Sequence, residues 1–171
     1  MNTEKKNKKS GEKHYLSGRE IRKIAKDNAK VMKALEKKKH RKADESEFVT
    51  QMKDDRNILE IEDLHTYFFT DQGVVKAVNG VSYDVPKNAT VGVVGESGCG
   101  KSVTSMSVMR LIQGPTGQIV DGSIRFQSKE YKRDEKGNPI PGEMEEKIYD
   151  IAKMPIHEIH RIRGKQIAMI F

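Results

Sequence analysis

The feature that most constrains this chain is a glycine-rich loop of eight residues. Residues 95–102 read Gly-Glu-Ser-Gly-Cys-Gly-Lys-Ser, which is the spacing G-x-x-x-x-G-K-[ST]. Glycines let successive backbone N–H groups turn toward a single anion. In such a loop Lys101 reaches the β and γ phosphates of a nucleotide, and the Ser102 hydroxyl can bind Mg²⁺. The octapeptide therefore predicts a nucleotide-phosphate site.

The residues on either side decide whether this spacing is meaningful. Before the loop, residues 90–94 read Thr-Val-Gly-Val-Val, an apolar and β-branched run typical of a buried parallel strand. After it, residues 103–112 have the apolar spacing of a helix of about three turns, and Gly114-Pro115 predicts its end. Strand, loop and helix follow in the order that a phosphate-binding loop requires, which favours that interpretation over a flexible turn between two core elements.

The net charge of +7 is unevenly distributed along the 171 residues. Residues 1–57 carry eighteen Lys and Arg against ten Asp and Glu, whereas residues 58–171 carry fourteen against fifteen. The basicity therefore gives no reason to expect that the domain binds nucleic acid.

A single cysteine excludes an intrachain disulfide and is compatible with a reducing compartment. The sequence predicts neither a transmembrane helix nor a secretory signal, because it has no apolar run of sufficient length.

Residues 1–57 are predicted to form a basic, partly helical extension and linker. Residues 1–15 have a composition typical of disorder. Ser17 and Glu20 form a capping box that begins a basic amphipathic helix running to about Lys39, and residues 40–57 are a charged linker. Three roles stay open for the helix: packing on its own domain or a neighbour, contact with anionic lipid or a partner subunit, and nucleic-acid binding. The last is least favoured, since no aromatic side chains alternate with the charges.

Residues 58–171 are predicted to form one domain. Before the loop, alternation and turn residues predict a strand over 58–69, a turn at 71–73 and two short strands within 74–85 around Asn79-Gly80. After the helix that follows the loop, they predict a strand over 122–126 and a polar surface insertion over 127–153 with a hairpin near 136–138. A short helix from Pro155 to Gly164 and a strand over 166–171 complete the predicted domain.

Three other groups of residues carry side chains capable of chemistry. Cys99 lies inside the loop, where it is either a thiol that nucleotide protects from alkylation or simply a tolerated small residue. His157 and His160 are three residues apart rather than four and lack an evident third ligand, so we interpret them as surface histidines rather than a metal site. Glu145 and Glu146 are interpreted as solvated carboxylates.

Taken together, these segments resemble the ATP-binding subunits of ABC transporters, and are most similar to those of oligopeptide and dipeptide importers. The closer similarity is carried by Val-Lys-Ala-Val-Asn-Gly-Val at 75–81, Gly-Glu-Ser-Gly at 95–98 and Ile-Arg-Gly-Lys at 162–165. It covers about residues 58–171, outside the extension and the 127–153 insertion. The resemblance implies an α/β fold, a P-loop NTPase of the ABC ATPase type in which an antiparallel β segment accompanies a parallel core sheet.

The resemblance also implies a ligand and the residues that hold it. The cofactors would be ATP and Mg²⁺, with Ser102 as the Mg²⁺ ligand. An early aromatic would stack on adenine, and the register from Leu64 assigns this to Phe68, with Tyr67 as the rival. The nucleotide-binding residues would be Gly95, Glu96, Ser97, Gly98, Cys99, Gly100, Lys101, Ser102 and Val103.

Several family features are expected beyond Phe171 and so have no counterpart in this sequence. They are the glutamine after the Met-Ile-Phe strand, the signature loop, the catalytic glutamate and the switch histidine. The resemblance therefore places no catalytic residue in this chain and leaves its enzyme activity undecided. We interpret the sequence as an N-terminal fragment that ends before the second half of the domain. Such a piece is expected to be weakly stable or to aggregate through an open sheet edge.

The function implied is that of an ATP-binding subunit, as a fragment, of a peptide importer that couples ATP binding and hydrolysis to transport. Its partners would be transmembrane permease subunits and a second ATP-binding subunit, and it would lie peripherally on the cytoplasmic face of the membrane. No nucleic-acid partner is expected. The alternatives are a nucleotide-binding interaction or regulatory remnant without hydrolysis, an importer of nickel or another small solute, and another P-loop enzyme such as a kinase or GTPase. The last is disfavoured by the long β-rich segment before the loop.

Overall fold

The computed structural model of the chain describes residues 16–134, 136 and 138–170. The predicted disorder of residues 1–15, and the positions Gly137 and Phe171, lie outside the described residues. The described residues form helix α1 (Gly18–His40), strands β1 (Val49–Thr50), β2 (Asn57–Thr70) and β3 (Gly73–Pro86), helix α2 (Lys101–Val108), and strands β4 (Gly117–Arg133) and β5 (Pro139–Asp150). Two short 3₁₀ helices cover Glu45–Glu47 and Ile159–Arg161.

Helix α1 begins as the sequence predicts and lies against its own domain. The Ser17 hydroxyl accepts from the Glu20 N–H, and the Glu20 carboxylate accepts from the Ser17 N–H, which completes the capping box. Asn28, which interrupts the apolar stripe, is buried and donates to the Thr70 carbonyl at 2.7 Å. Further along, the Ile156 N–H donates to the Lys39 carbonyl at 3.0 Å. Polar contacts therefore fasten this basic helix to the sheet and to the 151–158 turns.

The strands form one antiparallel sheet of five, in the order β1-β5-β4-β2-β3. The predicted strand over 58–69 is confirmed as β2, and the turn at 71–73 joins it to β3. The two short strands expected within 74–85 are instead a single strand. Gly80 explains the difference: at φ +83° it absorbs a register shift opposite Leu64 and His65 without ending the pairing.

The polar segment 127–153 is part of the sheet rather than an excursion from it. Strand β4 runs far past the predicted end at residue 126, and β5 pairs with it from Arg125↔Asp150 to Arg133↔Pro139. The turn lies between Arg133 and Pro139, where a hairpin was predicted. The sequence misleads here because most outer residues of the hairpin are exposed on both faces, so apolar alternation is lost while the pairing continues.

The core lies mainly on the face of the sheet that α2 and residues 151–162 cover. The "charged linker" contributes to it, since Phe48 is buried against Tyr149 with ring centroids 5.9 Å apart. Linker residues therefore belong to the folded unit. The sequence does not predict this, because the high local charge is typical of a solvent-exposed linker. The buried apolar residues of this cluster are Phe48, Leu59, Ile61, Leu64, Val78, Val108, Ile124, Phe126, Tyr149, Ile151, Met154, Ile159 and Ile162.

The strand predicted over residues 90–94 is not formed. These residues are irregular, and Val94 is 92% exposed. The same holds at the end of the chain, where Ile167 makes one parallel bridge with Arg163 and Ile170 is 97% exposed. A strand is held by hydrogen bonds to its neighbours, and among the described residues no strand pairs with either run. The parallel sheet implied by these runs is therefore absent from the described part, whose sheet is antiparallel.

The helix predicted from Pro155 to Gly164 is a series of turns with a 3₁₀ helix over Ile159–Arg161. Its predicted stripe is correct in part, because Ile159 and Ile162 are buried while Ile156 is half-buried. An i, i+3 spacing fits the three-residue turn of a 3₁₀ helix as well as an α-helix. Gly164 adopts φ +74° at its end.

Candidate phosphate-binding site

The glycine-rich loop is a tight turn that leads directly into α2. Gly98 and Gly100 adopt φ values of +81° and +98°, in the left-handed region that glycine enters without penalty. Residues 95–99 are exposed, and the Cys99 N–H donates weakly to the Glu96 carbonyl at 3.4 Å. Gly100 is the residue just before the first turn of α2 and caps it without a side chain. The loop therefore presents backbone and glycine surface to solvent.

Lys101 folds back over this loop. Its ammonium donates to the Gly95 carbonyl at 2.8 Å and the Glu96 carbonyl at 2.7 Å. It also lies 3.5 Å from Cys99 Sγ. The cation is thus held by neutral acceptors, and among the described residues no carboxylate pairs with it, which suits the binding of an anion.

The start of α2 carries Ser102 and Val103, the other residues predicted for the site. Ser102 is exposed in the first turn of this eight-residue helix. Thr104 is buried and donates from its hydroxyl to the Gly100 carbonyl at 3.0 Å, which reinforces the turn below the loop. Val103 is half-buried and packs against the core. Of the predicted residues, Lys101 and Ser102 carry the available functional groups, and Val103 anchors the helix.

Helix α2 ends earlier than the predicted three turns. The Arg110 N–H donates to the Ser107 carbonyl and the Leu111 N–H to the Met106 carbonyl, which is the Schellman pattern. Arg110 takes the left-handed position with φ +52°, where glycine is usual. Arg163 donates to the carbonyls of Met109 and Arg110, both at 3.0 Å. The prediction was wrong because the helix stops at an arginine that distant contacts hold in place, and no local signal marks it.

Contacts with the sheet fix the position of the loop. A Cβ on Gly100 would lie 2.4 Å from the Ala77 carbonyl oxygen of β3, so only glycine fits. On the other side of α2, Ser107 Oγ lies 2.8 Å from Thr66 Oγ1 of β2. Sequence reasoning missed Ala77, Thr66 and Ser107, since none of them belongs to the loop pattern. The lysine–serine pair thus rests on a glycine packed against β3 and a hydroxyl pair that joins α2 to β2.

The two aromatic candidates lie on opposite faces of the sheet. Tyr67 is in edge contact with His65 and donates from its hydroxyl to Asn79 Oδ1 at 2.7 Å. Lys76 Nζ lies 5.5 Å from the centre of its ring. Phe68 lies on the face that Thr66 shares with α2, because side chains alternate along a strand. Its half-buried ring is close to Gly117, where a Cβ would come within 2.9 Å.

Neither histidine of the 157–160 segment belongs to a metal cluster. His157 is paired with Glu158 at 3.6 Å, and His160 contacts the carbonyl of His157 through its Nδ1. In the part of the chain that the structure describes, no group of three or more His, Cys, Asp or Glu side chains is arranged to hold a metal ion. Neither helix α1 nor α2 is long and apolar enough to cross a membrane.

Comparison with known proteins extends this picture. The ABC transporter family matches residues 78–170, which include the loop and α2. The chain is 37% identical over 114 residues to the oligopeptide transport ATP-binding protein AppD of Bacillus subtilis (strain 168), covering 67% of this chain and 29% of that protein. It is 39% identical over 114 residues to the dipeptide transport ATP-binding protein DppD of the same organism, covering 67% of this chain and 28% of that protein. A putative peptide import ATP-binding protein of Brucella abortus (strain 2308) is 40% identical over 114 residues, covering 67% of this chain and 29% of that protein.

A P-loop that leads into a helix packed on an antiparallel β segment defines a nucleotide-binding class of protein. With the match over 78–170, the chain belongs to the ABC transporter family. The relatives it resembles are named as ATP-binding proteins of peptide transport. The chain spans less than a third of the length of these relatives.

Proposed function

We propose that this chain is part of an ATP-binding subunit of a peptide importer. The observation that carries the proposal is the loop Gly95–Ser102, with Lys101 Nζ held at 2.7–2.8 Å from the Glu96 and Gly95 carbonyls. Carbonyl oxygens are weak partners for an ammonium compared with phosphate oxygens, so a nucleotide would exchange them for charge-assisted contacts. The relatives named for oligopeptide and dipeptide transport support a peptide substrate for the complex rather than nickel.

In this proposal the β and γ phosphates of ATP bind Lys101 and the N–H groups of the loop. The positive end of the α2 dipole adds to the attraction, because the helix begins at Lys101. The exposed Ser102 hydroxyl would hold Mg²⁺. The ion would neutralise phosphate charge and would leave the protein to position the nucleotide.

Phe68 is the preferred residue for the adenine ring. It lies on the same face as α2, whereas Tyr67 lies on the opposite face with its hydroxyl and ring already in contact with Asn79 and Lys76. Stacking needs an aromatic face, and Phe68 has no hydroxyl whose hydrogen bond would have to be broken. Replacing Phe68 with Ala should weaken ATP binding more than replacing Tyr67 with Ala.

The rest of the proposal concerns the assembly. The chain would act with transmembrane permease subunits and a second ATP-binding subunit, on the cytoplasmic face of the membrane. Coupling of hydrolysis to transport would belong to the complete subunit, because the groups that position the attacking water are not among the residues assigned here. The chain itself would contribute the binding of the phosphates and Mg²⁺.

Replacing Lys101 with Ala tests the phosphate site. Affinity for a fluorescent ATP analogue with Mg²⁺ should fall at least about tenfold, since a charge-assisted contact contributes about 1.5–3 kcal/mol. Lys165→Ala is the matched control, because Lys165 is an exposed lysine outside the loop. Equal affinity of the Lys101 variant and the unmodified chain would rule out the site.

A second measurement uses Cys99, the single cysteine of the chain. It is exposed and lies 3.5 Å from Lys101 Nζ. MgATP should slow its alkylation by N-ethylmaleimide, because a bound phosphate would cover the loop. The Lys101→Ala chain should show no such protection. Protection of both chains, or of neither, would count against nucleotide binding at this loop.

A further inference from the structure

A cavity of about 50 Å³ lies where α1 packs against the beginning of β4 and the 151–154 turn. Its floor includes Leu35, Ile112 and Met154, and its polar lining is formed by Lys38, Lys39, Arg110, Lys153 and Gln118. Four of these five polar side chains are cations. A cavity with this lining is electrostatically suited to an anion.

Arg110 is the unusual member of this group. Its Nη1 donates only to the carbonyl oxygens of Ile151 at 3.3 Å and Ala152 at 2.7 Å. Among the described residues, no carboxylate forms an ion pair with it, although Asp150 and Glu36 influence it from a greater distance. Burial and the nearby Arg163 lower the pKa of Arg110 to about 10. Charged groups taken out of water are normally paired with an opposite charge, and this guanidinium has no anionic partner among the described residues.

The two nearby carboxylates are already engaged. Glu36 lies 3.5 Å from Lys39 Nζ and accepts from Gln118 Nε2 at 2.5 Å. Asp150 lies 3.0 Å from Lys153 Nζ and accepts from Ser123 at 3.0 Å and the Ile124 N–H at 3.1 Å. Lys38 is exposed and adds a further positive charge at the mouth of the cavity. The four cations therefore outnumber the carboxylates around them, and Arg163 increases the excess.

We propose that this cavity binds a phosphate group between α1 and the domain. The size is suitable, because one water needs at least about 10–15 Å³ and this space holds several waters or one tetrahedral oxyanion. Arg110 and Lys153 would contact the anion from the domain, and Lys38 and Lys39 from the helix. Such an anion would add contacts between the basic helix and the rest of the domain, which gives the N-terminal extension a specific role.

The site is distinct from the glycine-rich loop. The loop ends in the first turn of α2, whereas Arg110 follows its last turn, and eight residues of α-helix separate the two ends of α2 by about 12 Å. One chemistry, a phosphate group, could come from the free ion or from a lipid headgroup. Both sources are therefore included in the experiment.

Calorimetric titration of inorganic phosphate into the 171-residue chain carrying Lys101→Ala tests the proposal without interference from the loop. The Lys38→Gln/Lys39→Gln variant should weaken binding at least fivefold. The matched control, Lys33→Gln/Lys37→Gln, removes the same charge from exposed positions of α1 that do not line the cavity and should change binding less than twofold. Arg110→Gly should abolish binding while tolerating φ +52°.

Flotation of the same chains with vesicles containing phosphatidic acid identifies the source. Vesicle binding that requires Lys38 and Lys39 but not Lys33 and Lys37, without binding of free phosphate, would support the site with a lipid headgroup as its ligand. The proposal fails if neither free phosphate nor vesicles bind. It also fails if both pairs of lysines matter equally, because the attraction would then belong to the whole helix. The lysine variants alter exposed or half-exposed side chains, so they remain informative even if Arg110→Gly does not fold.

Discussion

Thr66 Oγ1 and Ser107 Oγ lie 2.8 Å apart, and neither side chain is exposed to solvent. Ser107 also donates to the Val103 carbonyl at 2.7 Å, so its oxygen accepts the proton of Thr66. The contact joins the long strand β2 to the helix that carries Lys101 and Ser102. A buried polar pair fixes the position of the helix more specifically than apolar packing, because a hydrogen bond requires a defined distance and direction.

Removing either member of this pair should destabilise the chain. Thr66→Val preserves the shape and Ser107→Ala removes the second hydroxyl, and each should lower the free energy of unfolding by about 1 kcal/mol. The double variant should cost less than the sum, because the two residues share one hydrogen bond. Urea unfolding of the four proteins measures this coupling. Ser105→Ala, at an exposed position of the same helix, is the control. Strict additivity would mean that the hydroxyls act independently.

Gly98 and Gly100 separate backbone strain from steric conflict. Both have positive φ, but a Cβ on Gly98 meets nothing within 4 Å, whereas one on Gly100 meets the Ala77 carbonyl at 2.4 Å. Gly98→Ala should therefore cost about 1–2 kcal/mol of stability, the ordinary penalty of the left-handed region. Gly100→Ala should cost more and should also weaken ATP binding, because the loop must move away from β3. Equal effects in thermal unfolding and nucleotide titration would show that the Ala77 contact is unimportant.

Arg161 is the central residue of an ionic network that is largely buried at Arg161 and Glu130. It contacts Glu130 at 3.0 Å and Glu45 at 3.2 Å, and Tyr149 also bonds to both carboxylates. Arg161→Met should lower the free energy of unfolding by about 3 kcal/mol, because it leaves the largely buried Glu130 without its main cation. Lys132→Met breaks an exposed pair with Glu143 and should have little effect. Comparable losses in chemical unfolding would contradict the assigned burial.

The stability of the chain should depend on pH through Glu60. Burial opposes ionisation of this side chain, but N–H donors from Lys53 and Asp54, with Asn57 and Arg125, lower its pKa below the usual 4.5. A lowered pKa in the folded state means that the ionised form stabilises the fold above about pH 4.5, and that this contribution is lost as the pH falls through the folded value.

Glu60→Gln should therefore lower the free energy of unfolding by about 1–3 kcal/mol at pH 7, and the difference from the unmodified chain should shrink toward pH 3. Unfolding by urea at several pH values measures it. Glu143→Gln, at an exposed position, should show no such trend. A difference that stays constant with pH would mean that Glu60 acts through shape rather than charge.

The local signals in the sequence predicted much of this structure. The Ser17–Glu20 capping box, the β2–β3 hairpin and the glycine-rich loop each depend on a few neighbouring residues, and each is where it was expected. Sequence patterns failed where the cause is distant. Arg110 ends α2 in a glycine-like conformation, and it is held there by contacts with Arg163 and with the carbonyls of residues 151 and 152. Phe48 belongs to a charged segment but is buried in the core.

The sequence by itself determined which groups the candidate phosphate loop offers, because glycines that allow positive φ, a lysine and a hydroxyl are properties of residues at fixed spacing. It also carried enough similarity to place the chain in the ABC transporter family. Only the tertiary structure decided that Phe68 rather than Tyr67 shares the face of α2, that Asn28 anchors the basic helix, and that Arg110 and Lys39 meet at one cavity. Those relationships join residues tens of positions apart, and such proximity depends on packing and strand register rather than on local preference.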